Sequence, residues 1–329
     1  MTKRRNMDGP STDPSKGGEP GPVSFALALI IGVFLALYVA SNRAPEITYV
    51  TYVQQPVPKL PNQASGIRLG EWPVSLFNRD EETRLKSEVS LGEEPAIAIV
   101  IDDLGGDVTH TKEAIALPAN VTMSFLPYPD TSGALSHRAF LAGHEVIVHL
   151  PMQPLGNENP GTRALLSGLS PEELQARTAW ALSRVSDYDG ANNHMGSRFT
   201  ASRADLLPVM QQLKQSGIFF LDSRTTDKTL AESVARETGM LAGSRDVFLD
   251  DEQSADAVER QLAAAEEVAR KNGTVIAIGH PHAQTLKSLA AWTKSLKSRG
   301  YRLLPVRDVL KLRTDHHQSV SVLTSARNG

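Results

Sequence analysis

At 329 residues the chain has the length of two average domains or of one large α/β barrel. Its composition, 40% apolar and 22% charged, excludes wholesale disorder and a multi-span membrane protein. With 34 basic and 37 acidic residues the net charge is −3, and no basic stripe marks a nucleic-acid partner. There is no cysteine, so disulfides, thiolate nucleophiles, iron–sulfur clusters and Cys-ligated zinc are all excluded. Any metal must sit on His, Asp or Glu.

The first element in chain order is apolar. Val23 to Ala40 spans 18 residues, of which only Ser24 and Tyr38 carry a polar side-chain atom. With Gly21 and Pro22 it reaches the roughly 20 residues that cross about 30 Å of hydrocarbon. Lys3, Arg4, Arg5 and Lys16 precede it and Arg43 follows. That asymmetry predicts residues 1–21 in the cytoplasm, a signal-anchor helix over 22–40, and the remainder in the periplasm, held at the inner membrane. A cleaved signal peptide is the competing reading, because a basic start and an apolar stretch suit both. Residues 41–94, punctuated by Pro45, Pro56, Pro58, Pro61 and Pro73, read as an extended linker. The polar stretch 313–329 reads as a disordered tail.

Between them, residues 95–312 repeat one pattern: a short apolar run, a polar residue, then a helical period. The runs are Ala96–Ile101, Val121–Leu126, Glu145–Leu150, Ala191–Met195, Ile218–Asp222, Asp246–Asp250, Thr274–His280 and Arg302–Val306. Several are continuously apolar and β-branched, as strands covered on both faces are. Ser170-Pro171-Glu172-Glu173 predicts a capped helix to about Val185. Ser202 with Asp205 opens another, stopped by Gly217, and Ser254 opens the longest, ending near Gly273. Strand and helix alternating seven or eight times predict an α/β fold, an irregular (β/α)7-8 barrel or a doubly wound sheet.

Polar residues terminate the strands: Asp102-Asp103, His149, His194, Asp222, Asp250-Asp251, and His280 with His282. In parallel α/β architectures the carboxyl ends of the strands face one mouth, which hosts the active site. Carboxylates and imidazoles converging there suit zinc or another divalent ion. Each residue has a plainer reading. Asp103 caps a helix, His149 and His194 are satisfied core histidines, Asp222 pairs with Arg224, and Asp250-Asp251 caps the Ser254 helix. His110, His137, His144, His316 and His317 read as surface histidines. Adjacent carboxylates at 102 and 103 are less easily dismissed, because they repel unless a cation or a shared proton relieves them.

The motifs IVIDDLGG (99–106), GHEVIVHLPMQP (143–154), NNHMGSRFT (192–200), FFLDSRTT (219–226) and IAIGHPH (276–282) occur in order. Together they resemble the divergent polysaccharide deacetylases, relatives of the carbohydrate esterases that remove acetyl groups from chitin-like and peptidoglycan sugars. The resemblance implies a barrel of the polysaccharide deacetylase type, with Asp102 as base, Asp103 as metal ligand, His149 as the first of two histidine ligands and His280 as general acid. Gln153 stands where the second histidine ligand of the mainstream enzymes falls, and His194 is the candidate replacement. Asp222, Arg224, Gln153 and His282 are candidate supporting or substrate-binding residues. The implied function is metal-dependent removal of N- or O-acetyl groups from an envelope polysaccharide or peptidoglycan-type glycan, with zinc the expected ion. The alternative is a catalytically inactive deacetylase fold that binds saccharide or an envelope protein.

Overall fold

The computed structural model describes residues 94–327, with side chains to residue 316. The expected anchor (22–40) and linker lie outside the described residues. Among the described residues no helix is long and apolar enough to cross a membrane.

The strands are β1 (Ala96–Leu104), β2 (Thr122–Phe125), β3 (Val146–Met152), β4 (Gly190–Met195), β5 (Phe219–Asp222), β6 (Ala242–Ser244), β7 (Val247–Phe248), β8 (Thr274–Gly279) and β9 (Arg302–Leu303). The helices are α1 (Val108–Ile115), α2 (Ser132–Leu141), α3 (Pro171–Arg184), α4 (Arg203–Gln215), α5 (Ala231–Glu237), α6 (Ala255–Asn272), α7 (Ala283–Leu296) and α8 (Val306–Arg327). The strands form one sheet in the order β6-β5-β4-β3-β2-β1-β8-β7, with β9 against β1, and every pairing is parallel. Among the described residues β6 and β7 are not paired with each other, so the sheet is a (β/α) half-barrel. The eight expected strands are present. The short β6, Ala-Gly-Ser, carries no apolar run to betray it.

Strand alternation sorts the core into two layers. Ala96, Ala98 and Val100 of β1 join Ile147, Phe219, Leu221, Ile276 and Ile278 in the concave interior. Ile97, Ile99 and Ile101 join Val146, Val148, Leu150, Val275 and Ala277 beneath the helices. Both faces are buried, hence the unbroken apolar runs. The interior is tight: a Cβ on Gly190 would lie 2.5 Å from the Phe219 ring.

The predicted helix starts fit their caps. Ser170 Oγ accepts from Glu173 N, Ser202 Oγ from Asp205 N and Ser254 Oγ from Ala257 N, and Gly273 ends α6 in the left-handed region at φ 78°. The C-terminal end differs from expectation. From 313 onward the chain continues in α8 instead of fraying, and that helix begins by plugging the lower end of the half-barrel. Val306, Val309 and Leu310 pack on the interior layer. A Cβ on Gly243 would come within 2.4 Å of Leu310 Cδ2. Arg313 then spans the unpaired seam, donating to the Ser244 carbonyl, to Asp246 and to Thr274 Oγ1. The polar composition of 313–316 conceals this, because the contacts are made by a guanidinium and not by an apolar stripe. His144 is also not on the surface: it is buried, bridging the carbonyls of Val121 (2.8 Å) and Ile115 (3.0 Å).

The plug rests on a buried acid. Glu145 accepts from Thr122 Oγ1 at 2.9 Å and from Arg307 N at 3.2 Å. Burial pushes its carboxyl up to about 7, against the opposing pull of the Thr122 and Arg307 bonds. A raised acid favours the protonated folded state. Its stabilising contribution is therefore complete below the unfolded value and lost as pH climbs through about 7. At about 1.4 kcal/mol per unit, the total is on the order of 3 kcal/mol. Urea midpoints of the wild type minus those of Glu145→Gln should fall between about pH 5 and pH 8. A difference flat across that range would refute the buried, raised acid.

Candidate metal and catalytic centre

Alternation places the site residues. On β1, Asp102 is in phase with the interior residues Ala98 and Val100, so its carboxylate points into the mouth; Asp103 would point outward on a regular strand. It does not, because Asp103 adopts φ 59°, in the left-handed region, where the β1–β2 register shifts between Ile101 and Leu104. The irregularity turns both carboxylates to one side. Each meets the same nitrogen: His149 Nε2 lies 3.7 Å from Asp102 Oδ2 and 3.2 Å from Asp103 Oδ1. His149 is in phase with interior Ile147, and on the adjacent β4 Asn192 and His194 share the inward face. The register pairs His149 with Asn192. After His194 the chain turns sharply through Met195 (φ 51°) and Gly196 (φ 92°), which lifts the imidazole to the rim.

His194 Nδ1 lies 2.9 Å from Asp103 Oδ1, so Asp103, His149 and His194 form one cluster. Asn192, wholly buried, defines its proton arrangement. Its Nδ2 donates to Asp102 Oδ1 at 2.8 Å, since a carboxylate can only accept. Its Oδ1 therefore faces His149 Nδ1 at 2.7 Å and Ser124 Oγ at 2.8 Å, and both of these donate. With Nδ1 carrying the proton, neutral His149 presents a bare lone pair at Nε2 to a carboxylate oxygen 3.2 Å away. Asp103 Oδ1 is buried with no hydrogen-bond partner. Acceptors pressed together in this way require a positive charge between them. Their spacing approaches the roughly 3.3 Å edge of a tetrahedron with metal–ligand bonds of about 2.0–2.1 Å. The residues present thus fit a divalent ion. Without one, a proton takes its place. Burial pushes the His149 imidazole down, but Asp102 and Asp103 outweigh it and raise the pKa. Burial likewise works to raise Asp103, yet His149 and His194 hold it far below the usual carboxylate range.

His280, in phase with interior Ile276 and Ile278, reaches the mouth from β8. Asp250 orients it: Oδ1 lies 3.0 Å from His280 Nδ1, while Oδ2 accepts from His280 N at 2.6 Å and Thr285 Oγ1 at 2.8 Å. Nε2 is left facing Asp103 Oδ2 at 3.9 Å. Burial pushes His280 down, but the Asp250 bond and the charges of Asp102 and Asp103 carry it up to about 9. Asp250, His280 and His282 make a second cluster with metal-ligand spacing. Both Asp250 oxygens are already committed to hydrogen bonds, however, so this cluster reads as an oriented imidazole.

The remaining sequence candidates are not part of the ligand trio. Gln153 does not reach the cluster: its Oε1 accepts from Ser167 N at 2.8 Å and its backbone carbonyl from Arg198 N and Phe199 N, bracing the 153–167 loop. Asp222 is in phase with Phe220, an outer-layer residue, and holds Arg224 N and Thr229 Oγ1 at 2.8 Å each. It bonds neither Asp102 nor His280. Neither does the Arg224 side chain, and His282 occupies the N-cap position of α7, its ring centroid 5.9 Å from that of His280. Asp250 does not cap α6, a role filled by Ser254. The sequence reading missed Asn192, and also Tyr128, a half-buried phenol beside Gly161 that burial and the Asp103 charge push up, keeping it a hydroxyl. The legible signal for Asn192 was a polar doublet inside a buried strand.

Comparison with known proteins identifies a family for the chain. The family model described as divergent polysaccharide deacetylase matches residues 99–310. The uncharacterized protein YibQ of Escherichia coli (strain K12) is 37% identical over 193 residues, covering 59% of this chain and 60% of that protein. The match thus spans less than two thirds of that relative. An uncharacterized protein of Haemophilus influenzae is 36% identical over 200 residues, covering 61% and 71%. The crystal structure of the uncharacterized protein ATU2773 from Agrobacterium tumefaciens C58 superposes with a TM-score of 0.64 at 28% identity, covering 66% of this chain and 89% of that one. A half-barrel whose ordered motifs bring two aspartates and three histidines to one mouth, matched by that model from β1 to α8, belongs to the divergent polysaccharide deacetylase family.

Proposed function

We propose that this chain hydrolyses N- or O-acetyl groups on an envelope glycan with a divalent ion, zinc the expected one, held by Asp103, His149 and His194. The observation that carries the reading is the orphaned Asp103 Oδ1, buried against two imidazole nitrogens at 2.9 and 3.2 Å. A cation there supplies Lewis acidity, bringing the pKa of a water from about 15.7 to about 7. Asp102, kept an acceptor by Asn192 Nδ2, takes the proton of the attacking water. His280 carries a proton at neutral pH and delivers it from Nε2 to the leaving nitrogen or oxygen, while Asp250 fixes the ring; a positioned acid contributes about 10²–10⁴-fold. Tyr128 offers a hydroxyl donor at the same mouth. The proposal includes a position outside the cytoplasmic membrane, resting on the apolar segment 23–40 and its basic leading flank.

The test is metal content by mass spectrometry together with acetate release from acetylated glycan oligomers. The expected result is one equivalent of metal, lost in Asp103→Ala and His149→Ala, with acetate release lost alongside it. A protein that binds no zinc, cobalt, nickel or manganese overturns the metal-dependent reading. A metal-loaded protein that releases no acetate from N- or O-acetylated sugars overturns the deacetylase reading and leaves a binding protein.

A further inference from the structure

The segment after β5 lies against the metal cluster. Ser223 N donates to Asn193 Oδ1 at 2.9 Å, Asn192 Nδ2 donates to Ser223 Oγ at 3.2 Å, and Thr225 Oγ1 donates to the carbonyl of Met195, the residue after His194, at 2.9 Å. Arg224 is therefore fixed between two anchors on the rim. Its backbone is held at φ 50°, a conformation that side-chain-bearing residues adopt at a cost, by the bond from its N–H to Asp222. Its side chain is exposed, and among the described residues its guanidinium makes no hydrogen bond or ion pair.

A second guanidinium stands beside it. Arg245 Nε donates to the Ser223 carbonyl at 2.8 Å and Nη2 to the Arg224 carbonyl at 3.0 Å, with the charge 4.9 Å from the Phe248 ring centroid. Nη1 is left uncommitted. Burial lowers the Arg245 pKa, and the like charge of Arg224 lowers it further. The acids that face Arg245 are Asp102, Asp222 and Asp246. Each is already engaged: Asp102 by Asn192, Asp222 by Arg224 N and Thr229, Asp246 by Arg313 and by Ile276 N. Arg245 thus bonds the backbone of a second arginine at the rim, and among the described residues no acid pairs with the Arg224 guanidinium. A neutral sugar gives no reason to hold like charges together at the expense of a left-handed backbone.

We propose that Arg224 and Arg245 form an anion-recognising edge, and that the glycan this mouth accepts carries a carboxylate or phosphate near its acetyl group. Guanidinium is suited to both, binding either oxyanion through paired N–H donors. The inference rests on the glycan reading of the mouth and adds the class of sugar.

Its test is a calorimetric titration of the zinc-loaded protein with three sugars: N-acetylglucosamine, N-acetylmuramic acid, which adds a lactyl carboxylate, and N-acetylglucosamine 6-phosphate. At least one anionic sugar should bind about tenfold or more tighter than the neutral one, and the gap should narrow with added salt. The two anionic arms identify which oxyanion is recognised. Arg224→Asn, whose replacement tolerates the left-handed backbone, should abolish the preference while leaving zinc content intact. Equal affinity for all three, a preference that survives Arg224→Asn, or no binding of either anionic sugar overturns the inference. Binding and turnover are separate readouts. An anion preference without acetate release defeats the hydrolase and keeps the arginine edge, whereas acetate release with no preference does the reverse.

Discussion

Asp102→Asn should lower acetate release by about 10²–10⁴-fold while leaving the metal in place. The substitution is nearly isosteric at a side chain with almost no exposure, and an amide oxygen at position 102 can still accept from Asn192 Nδ2. What disappears is the ability to take a proton. Metal retention is expected because the three groups that converge on one point are Asp103, His149 and His194; Asp102 Oδ2 stands off from His149 Nε2 at 3.7 Å. Turnover and metal stoichiometry measured on the same preparation give the result. A variant that keeps its metal and turns over within tenfold of the wild type would remove Asp102 from the role of base.

Asn192→Leu should cost both fold and ion. The leucine is similar in size, so packing changes little. It strands His149 Nδ1 and Asp102 Oδ1 inside the protein and strips partners from Ser124 and Ser223. A buried charged group left without its partner costs about 3–5 kcal/mol. In addition His149 loses the bond that keeps its proton on Nδ1. Losing such an outer partner typically costs 10–100-fold in metal affinity. Urea unfolding of the metal-free protein isolates the first effect and a zinc competition titration the second. Unchanged zinc affinity beside lost stability would mean that Asn192 supports packing and does not orient the ligand.

How much of this was legible in the chain comes down to parity. Counting by twos from the apolar interior residues of β1, β3 and β8 reaches Asp102, His149 and His280, and all three face the mouth. The same count excludes Asp222, which falls on the helix-covered side with Phe220. Strand identity, helix caps and the inward-facing His149 and His280 could therefore be read from pattern. Asp103 could not, because its inward turn depends on a left-handed residue that breaks the period. Asn192 was missed because a fully polar doublet is poor strand composition, and tertiary hydrogen bonding overrides that preference. Gln153 was assigned by its place in a motif, whereas the fold uses its amide to tie a loop. The continuation of α8 was hidden because Arg313 works through carbonyls and a carboxylate instead of apolar area.

The pairing of β1 with β8 and β9 makes the earliest part of the domain dependent on the latest. During synthesis, Ala96, Ala98 and Val100 emerge well over a hundred residues before the strand and the helix that shield them. A nascent chain in that interval presents a greasy, unpaired edge. Contacts of such long sequence separation form slowly, and the exposed surface invites association with other chains. Loss of the last helix from Val306 onward would leave those interior residues uncovered for good, even though every metal-binding side chain would already have been made.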